Sequence, residues 1–78
     1  MTVVNVDLTT PEAQIAQDFM VRKGYQNVVP VDYEAIDSAH PCYYFYYDLP
    51  EGELELEVSF DPKSGMWDTL VTAFDLHY

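Results

Sequence analysis

Five consecutive aromatic residues, from Tyr43 to Tyr47, restrict the fold of this 78-residue chain more than any other feature. They lie within CYYFYYDL at residues 42–49, and aromatic residues are favoured in β-strands. Successive side chains of a strand point to opposite faces of the sheet, so this run places rings on both faces. A hydrophobic core accounts for one face. The rings on the second face need either a cover from the chain itself or another molecule.

The chain is short enough that its stability is itself a constraint. A domain of 78 residues buries only about 60% of the surface that its unfolded chain exposes. Cys42 is the only cysteine, so neither a disulfide nor a cysteine-based zinc site can stabilise the fold. With 49% hydrophobic and 15% aromatic residues, the composition favours a dense core. We therefore expect a single domain over residues 1–78, stabilised by that core or by a partner.

The charge is strongly negative. Fourteen acidic residues against three basic ones give a net charge of −11. Between Gly24 and Pro62 there is no lysine or arginine, while the same interval holds nine acidic residues: Asp32, Glu34, Asp37, Asp48, Glu51, Glu53, Glu55, Glu57 and Asp61. Such a surface repels nucleic acid and anionic membranes and attracts a basic partner. The same charge also serves solubility alone, and the sequence leaves both interpretations open.

The N-terminal sequence and the hydropathy pattern bear on location. MTVVNVDLTT has neither the basic region nor the long apolar segment of a signal peptide. No apolar run approaches the roughly 20 residues that a membrane-spanning helix needs. A lone cysteine is typical of a reducing compartment. The sequence therefore predicts a cytoplasmic protein that does not bind membranes.

The first third of the chain predicts a strand followed by a helix. VVNVDL at 3–8 alternates apolar and polar residues, as a half-buried strand does. Thr10 can cap the helix that follows, and Pro11 suits its first position. Gly24 is a typical left-handed residue at a helix end, so the helix is predicted over 11–23. Its apolar stripe comprises Ile15, Ala16, Phe19 and Met20.

The rest of the chain predicts four more strands. The first contains Val29, Val31 and Tyr33 and lies at a sheet edge or carries a bulge, because Pro30 cannot donate a backbone hydrogen bond. Residues 34–41 are either loop or one helical turn. The other strands are separated by the turn sequences LPEG and DPKSG and lie at 42–49, 53–60 and 66–76. The predicted fold is α+β, a two-layer sandwich with one helix on a mostly antiparallel sheet, in the order β-α-β-β-β-β.

Turn lengths predict which side chains share a face. A three-residue loop at Pro50–Gly52, with Gly52 in the left-handed conformation, pairs Leu49 with Glu53. This register turns Tyr44 and Tyr46 toward the helix and leaves the other ring set, Tyr43, Phe45 and Tyr47, beside Glu53, Glu55 and Glu57. A four-residue loop would exchange the two ring sets. Either register leaves one ring set beside the glutamates.

The last hairpin extends this mixed face. A four-residue loop at Pro62–Gly65 pairs Asp61 with Met66, and it predicts Phe60 opposite Trp67 and Leu54 opposite Ala73 on the helix side. Leu70 and Phe74 then lie beside the glutamates. Exposed apolar patches of this kind usually mark interaction sites. The predicted protein-binding residues are Tyr43, Phe45, Tyr47, Glu53, Glu55, Glu57, Leu70 and Phe74.

Three interpretations of this second face remain open. In the first interpretation, its rings only shield the sheet backbone while their hydroxyls reach water. Alternatively, two such faces meet in a homodimer, which the glutamate row disfavours because it brings like charges together. In the third interpretation the face binds a different protein with a basic and apolar surface, anchored by tyrosine and steered by carboxylates.

The sequence contains no convincing catalytic or metal-binding motif. His40 and Cys42 are too few to ligate structural zinc. The glutamates of residues 53–57 are spaced about 7 Å apart along a strand, as glycosidase carboxylates are, but such enzymes need a cleft. We therefore expect neither catalysis nor a metal or cofactor. The predicted function is a small acidic protein-binding module. The alternatives are a nucleic-acid mimic that inhibits a DNA- or RNA-binding protein, or an accessory subunit of a larger complex.

Overall fold

The computed structural model describes residues 6–36 and 40–76, and it has one helix and four strands in that part of the chain. The strands form a single antiparallel sheet in the order β1-β2-β3-β4. The α+β prediction is confirmed. The elements are α1 (Pro11–Arg22), β1 (Asp32–Ile36), β2 (Cys42–Leu49), β3 (Gly52–Asp61) and β4 (Met66–Leu76).

The leading strand predicted at 3–8 is not seen in the described residues. Residues 1–5 lie outside them, and residues 6–8 have no strand conformation. The carboxylate of Asp7 instead accepts hydrogen bonds from the Thr9 N–H at 2.9 Å and from the Thr9 hydroxyl at 2.6 Å. Such local bonds compete with a sheet ladder and turn the chain into the helix. The alternation nevertheless identified correctly which side chains face the interior, because Val6 and Leu8 pack against the core.

Both ends of α1 form as the sequence predicts. The Thr10 side chain caps the N-terminus by accepting a hydrogen bond from the Ala13 N–H at 3.3 Å. At the other end the Tyr25 N–H donates to the Met20 carbonyl at 2.9 Å, which requires a left-handed residue between them. Gly24 supplies that conformation with a φ of 100°. In the described part of the chain, no helix is long and apolar enough to span a membrane.

The helix packs on one face of the sheet, which gives a two-layer arrangement. It contacts β2, β3 and β4. Its buried residues are Ala13, Ala16 and Met20, and those of the sheet are Phe45, Tyr47, Leu49, Leu54, Leu56 and Val58. Two residues of the predicted stripe, Ile15 and Phe19, lie half-buried at the border of this core. The face of the sheet that packs against α1 is called the helix face.

β1 is a short strand at one edge of the sheet. Pro30 is buried just before it, and the strand begins at Asp32, later than the sequence predicts. The predicted edge position is confirmed. Within residues 34–41, the chain is strand as far as Ile36, and residues 37–39 lie outside the described part.

The turn between β2 and β3 is one residue shorter than predicted. Leu49 pairs with Gly52, so only Pro50 and Glu51 form the loop. Gly52 does not adopt the predicted left-handed conformation but is the first residue of β3. A Cβ atom at this position would collide with the carbonyl of Asp75 in β4. The close approach of β4, and not the turn, therefore requires the glycine.

This register reverses the predicted faces of the aromatic strand. Phe45 lies opposite Leu56 and Tyr47 opposite Leu54, and both rings are buried, with exposures of 0% and 1%. Tyr43 lies opposite Val58 on the same side. The prediction that Tyr43, Phe45 and Tyr47 share a face with the glutamates is therefore wrong. It failed because a one-residue slip moves every side chain of a strand to the other face.

The hairpin between β3 and β4 follows the predicted register near its turn. Asp61 pairs with Met66, and Phe60 pairs with Trp67, which confirms the four-residue loop. Gly65 has a φ of 71°, the left-handed conformation expected at the end of this loop.

A β-bulge changes the register farther along β4. Glu55 pairs with Ala73, and Thr72 is the extra residue, whose hydroxyl oxygen lies 3.3 Å from the Glu55 carbonyl oxygen. Phe74 consequently lies opposite Leu54 on the helix face. The predictions that Phe74 lies beside the glutamates and that Ala73 lies opposite Leu54 are both wrong. A single inserted residue is enough to reverse them.

We expect the buried hydroxyl of Tyr47 to make stability depend on alkaline pH. It donates to the Gln17 Oε1 atom at 2.8 Å, and burial raises the pKa of Tyr47 well above its ordinary value near 10. The contribution is fully present below about pH 10 and is lost as the pH rises toward the folded-state pKa, because the unfolded chain ionises first. Tyr47→Phe should cost about 0.5–1.5 kcal/mol at pH 7 and flatten the decline above pH 10. Urea denaturation of both proteins at pH 7 and at several pH values above 10 measures this. If the free energy of unfolding fell equally steeply with pH in Tyr47→Phe and in the unaltered protein, the prediction would be wrong.

Candidate functional site

The side of the sheet opposite the helix carries the candidate site. Leu54, Leu56 and Val58 point to the helix face, so the alternate residues of β3 point away from it. Residues opposite one another in register share a face, which adds their partners on β1, β2 and β4 to this surface. We use the name open face for twelve residues of this surface: Asp32, Glu34, Tyr44, Tyr46, Asp48, Glu53, Glu55, Glu57, Asp68, Leu70, Ala73 and Asp75.

The open face is strongly acidic. Eight of its residues carry carboxylates, and none is lysine or arginine. Asp48, Glu53 and Asp75 lie directly opposite one another on three adjacent strands. Like charges in such positions destabilise a sheet, and the surface potential around them is negative. A cation that binds here would relieve repulsion that the free protein carries.

A hydrogen bond orders one side of this face. The Tyr44 hydroxyl donates to the Glu57 Oε2 atom at 2.9 Å across the β2–β3 pair. This bond raises the pKa of Tyr44, with a further contribution from a hydrogen bond to Cys42, because ionising the phenol would remove the donor and add a second negative charge. The bond fixes the Tyr44 ring beside the carboxylate and leaves the other Glu57 oxygen to accept from another donor.

Tyr46 lies at the centre of the carboxylates. Its pKa is raised, mainly by partial burial and then by the charges of Glu55, Glu34 and Asp32. Glu55 is directly opposite Tyr46, and its Oε1 atom accepts a hydrogen bond from the Thr72 hydroxyl at 2.8 Å. The bulge thus orients a carboxylate beside an aromatic ring, an arrangement that suits a guanidinium or ammonium group.

A depression at this end of the open face adds shape to the charge. It has a volume of about 440 Å³, and its lining includes Asp32, Tyr46, Glu53, Glu55 and Asp75. The Tyr46 ring and five carboxylates, of which Asp48 supplies the fifth, therefore surround a space that one or two long basic side chains could occupy. Within residues 6–36 and 40–76, no three histidine, cysteine or acidic side chains converge in a geometry that would hold a metal ion.

The structure separates the predicted binding residues into two groups. Glu53, Glu55, Glu57 and Leu70 lie together on the open face, whereas the rest, Tyr43, Phe45, Tyr47 and Phe74, lie on the helix face. Tyr43 belongs to a chain of rings there, with its centroid 6.2 Å from Tyr33 and 6.4 Å from Trp67. The set of rings on the open face is Tyr44 and Tyr46. The two-residue turn at Pro50 determines that choice, and the sequence offered Gly52 as a misleading turn residue.

Sequence reasoning also missed several acidic residues of the open face. Asp32 and Glu34 belong to it because β1 pairs with β2. Asp75 belongs to it because the bulge moves this residue from the helix face to the open face. The strand pattern around Tyr33 could have indicated the first two, since alternate residues of a strand share a face. Nothing in the sequence indicates the third, since a bulge has no reliable sequence signal at Thr72.

Comparison with known proteins assigns no family to the chain. No protein-family model matches the sequence. No curated protein and no solved structure matches it significantly. A function therefore has to be inferred from the open face.

Proposed function

We propose that the protein is a small acidic binding module whose open face binds a basic surface of another protein, without catalysis. The observation that carries this proposal is the concentration of eight carboxylates around Tyr44 and Tyr46 on one side of the sheet. Aromatic anchors surrounded by charge are typical of protein interfaces. Solubility alone does not require that acidic residues be gathered on one face or that aromatic rings lie among them.

The distribution of charge over the molecule supports the open face as the surface that binds a basic partner. The basic residues lie elsewhere: Arg22 and Lys23 at the end of α1, and Lys63 in the β3–β4 turn. Arg22 is paired with Asp18 at 2.9 Å, and Lys23 lies over the Phe19 ring. The open face therefore keeps its negative potential, which would orient a basic partner during encounter and raise the association rate.

An arginine side chain of the partner is the group that fits the depression best. Its guanidinium can stack on the Tyr46 ring and donate two parallel hydrogen bonds to the Glu55 carboxylate. Thr72 holds Glu55 in position through its 2.8 Å bond, so part of the ordering cost precedes binding. Leu70, 59% exposed on the same face, supplies apolar contact next to the charges.

A nucleic-acid mimic is the second candidate, because the carboxylates extend over all four strands. The position of the rings favours the first candidate, a protein partner that binds the open face through a basic surface. Tyr44 and Tyr46 lie on β2, with Asp32 and Glu34 on one side and the β3 glutamates on the other. A mimic needs an extended rim of carboxylates, and central rings contribute nothing to that imitation. The same central rings also suit an accessory subunit that completes a larger complex.

The rings provide the first test. We expect Tyr44→Ser combined with Tyr46→Ser to keep the fold, because both rings are only half-buried, and to lose capture of the partner from an extract of the native cell. The cost in stability should be less than the roughly 3–5 kcal/mol of a buried aromatic residue. Tyr43→Ser combined with Tyr47→Ser is the matched pair on the helix face and should unfold the domain. Capture that survives the first substitution would refute the contact role of these rings.

The carboxylates provide the second test, through the salt dependence of the captured complex. Raising the salt concentration should weaken binding mainly by slowing association. Glu55→Gln with Glu57→Gln should reduce both the association rate and its dependence on salt. Glu12→Gln with Asp18→Asn removes the same charge from α1 and should change both much less. Surface plasmon resonance separates the two rates. An affinity that salt does not alter would exclude electrostatic recognition by the open face.

A further inference from the structure

The outer edge of β4 is unusually open. β4 has 11 residues, and no described strand pairs with its outer side. Natural sheets usually protect such edges with short strands, proline or lysine. The opposite edge follows this rule, since β1 has five residues and follows Pro30. β4 contains neither proline nor lysine, and its bulge lies at Thr72, so the backbone from Met66 to Val71 remains available to another strand.

The register identifies the backbone groups that point outward. Phe60 N–H donates to the Pro41 carbonyl at 3.0 Å, so Phe60 directs its backbone toward β2. The neighbouring Ser59 therefore directs its N–H and C=O toward β4, where it meets Asp68. Asp68 must point inward, and the residues that alternate with it point outward. Up to the bulge, these outward residues are Trp67, Thr69 and Val71.

Several apolar side chains of this strand are exposed, and they lie on both faces of the sheet. Met66 and Leu70 are 66% and 59% exposed on the open-face side. Phe74 and Leu76 are also exposed, on the helix-face side. Half of the large exposed hydrophobic residues in the described part of the chain thus belong to this one strand. An added strand would cover them while it satisfies the outward backbone groups.

We propose that β4 takes an extended segment of the basic partner as a fifth, antiparallel strand, in which basic and apolar residues alternate. This inference rests on the proposed function, since it names how that partner binds. Basic side chains of the segment would lie on the open-face side, next to Asp68 and the β3 glutamates. Apolar side chains would lie on the other side, next to Trp67, Thr69 and Val71. Directly opposed side chains in such a pair are about 5 Å apart, close enough for both kinds of contact.

Charge decides between this occupant and a second copy of the chain. Joining two β4 edges would merge two open faces that each carry eight carboxylates into one continuous sheet. Neither copy supplies a basic side chain on that face. Such a dimer would increase self-repulsion, whereas a basic segment neutralises it.

An 11-residue peptide of alternating lysine and valine serves as the probe. We measure amide hydrogen exchange of the protein by NMR with and without this peptide. Exchange should slow by about tenfold, at roughly 90% saturation, at Trp67, Thr69 and Val71, while Asp68 and Leu70, already bonded to β3, change little. Uniform protection, or none, would overturn the fifth strand.

Methylated peptides provide matched controls that leave the protein unaltered. Residues opposite the outward-pointing positions of β4 share their helix-face side, so the valines of the probe direct their N–H groups toward β4. Methylating the valine nitrogens should weaken binding at least about tenfold, because it removes these donors. Methylating the lysine nitrogens should leave binding nearly unchanged. Equal effects of the two peptides would overturn the inference.

The protein variant Thr69→Pro tests the same edge from the other side. It removes an outward N–H without removing a hydrogen bond to β3, and it should abolish the exchange pattern, whereas Thr69→Val should retain it. If the double variant Tyr44→Ser with Tyr46→Ser no longer bound the unmethylated peptide while Thr69→Pro still bound it, the proposed function would stand and strand addition would be refuted. Concentration-dependent dimers that Thr69→Pro abolishes would assign the edge to a second copy instead.

Discussion

The pairing of Leu49 with Gly52 is the constraint on which the rest of the structure depends. It sets the register of β2 against β3 and hence the face to which every side chain of the aromatic run points. Gly52 is required because the backbone of β4 at Asp75 leaves no space for a Cβ atom. The position of β4 thus dictates the residue type at the start of β3, next to the turn.

This register separates two kinds of surface on one small sheet. Phe45 and Tyr47 join the core under α1, where burial stabilises a chain that has no disulfide. Tyr44 and Tyr46 are left among the carboxylates, where they are only half-buried and where Tyr44 bonds to Glu57. The opposing costs are repulsion among like charges and partial exposure of rings, and a basic partner would reduce both. That is the physical basis for inferring a binding face.

The sequence allowed the helix and the three long strands to be predicted, because their patterns are local: a cap at Thr10, a left-handed Gly24, and alternation along each strand. The errors arose where two distant segments meet. The strand pattern at 3–8 did not reveal the bonds of Asp7 that form a turn. Gly52 has the sequence signature of a turn residue, although it is required by contact with β4. The bulge at Thr72 moved Phe74 to the other face. The candidate site was therefore predicted in kind, as rings beside glutamates, but with the wrong ring set.

The most direct test of this account is the strand register, read from contacts between Hα protons in an NMR spectrum. The bond from Phe60 to Pro41 makes Tyr44 and Glu57 a pair without mutual backbone hydrogen bonds, the type in which the Cα atoms approach to about 4.5 Å. The account predicts strong Hα–Hα contacts between Tyr44 and Glu57 and between Tyr46 and Glu55. Contacts of Phe45 with Glu57 in their place would show a register that differs by one residue. That register would place Tyr44 and Tyr46 in the core and contradict the assignment of the open face.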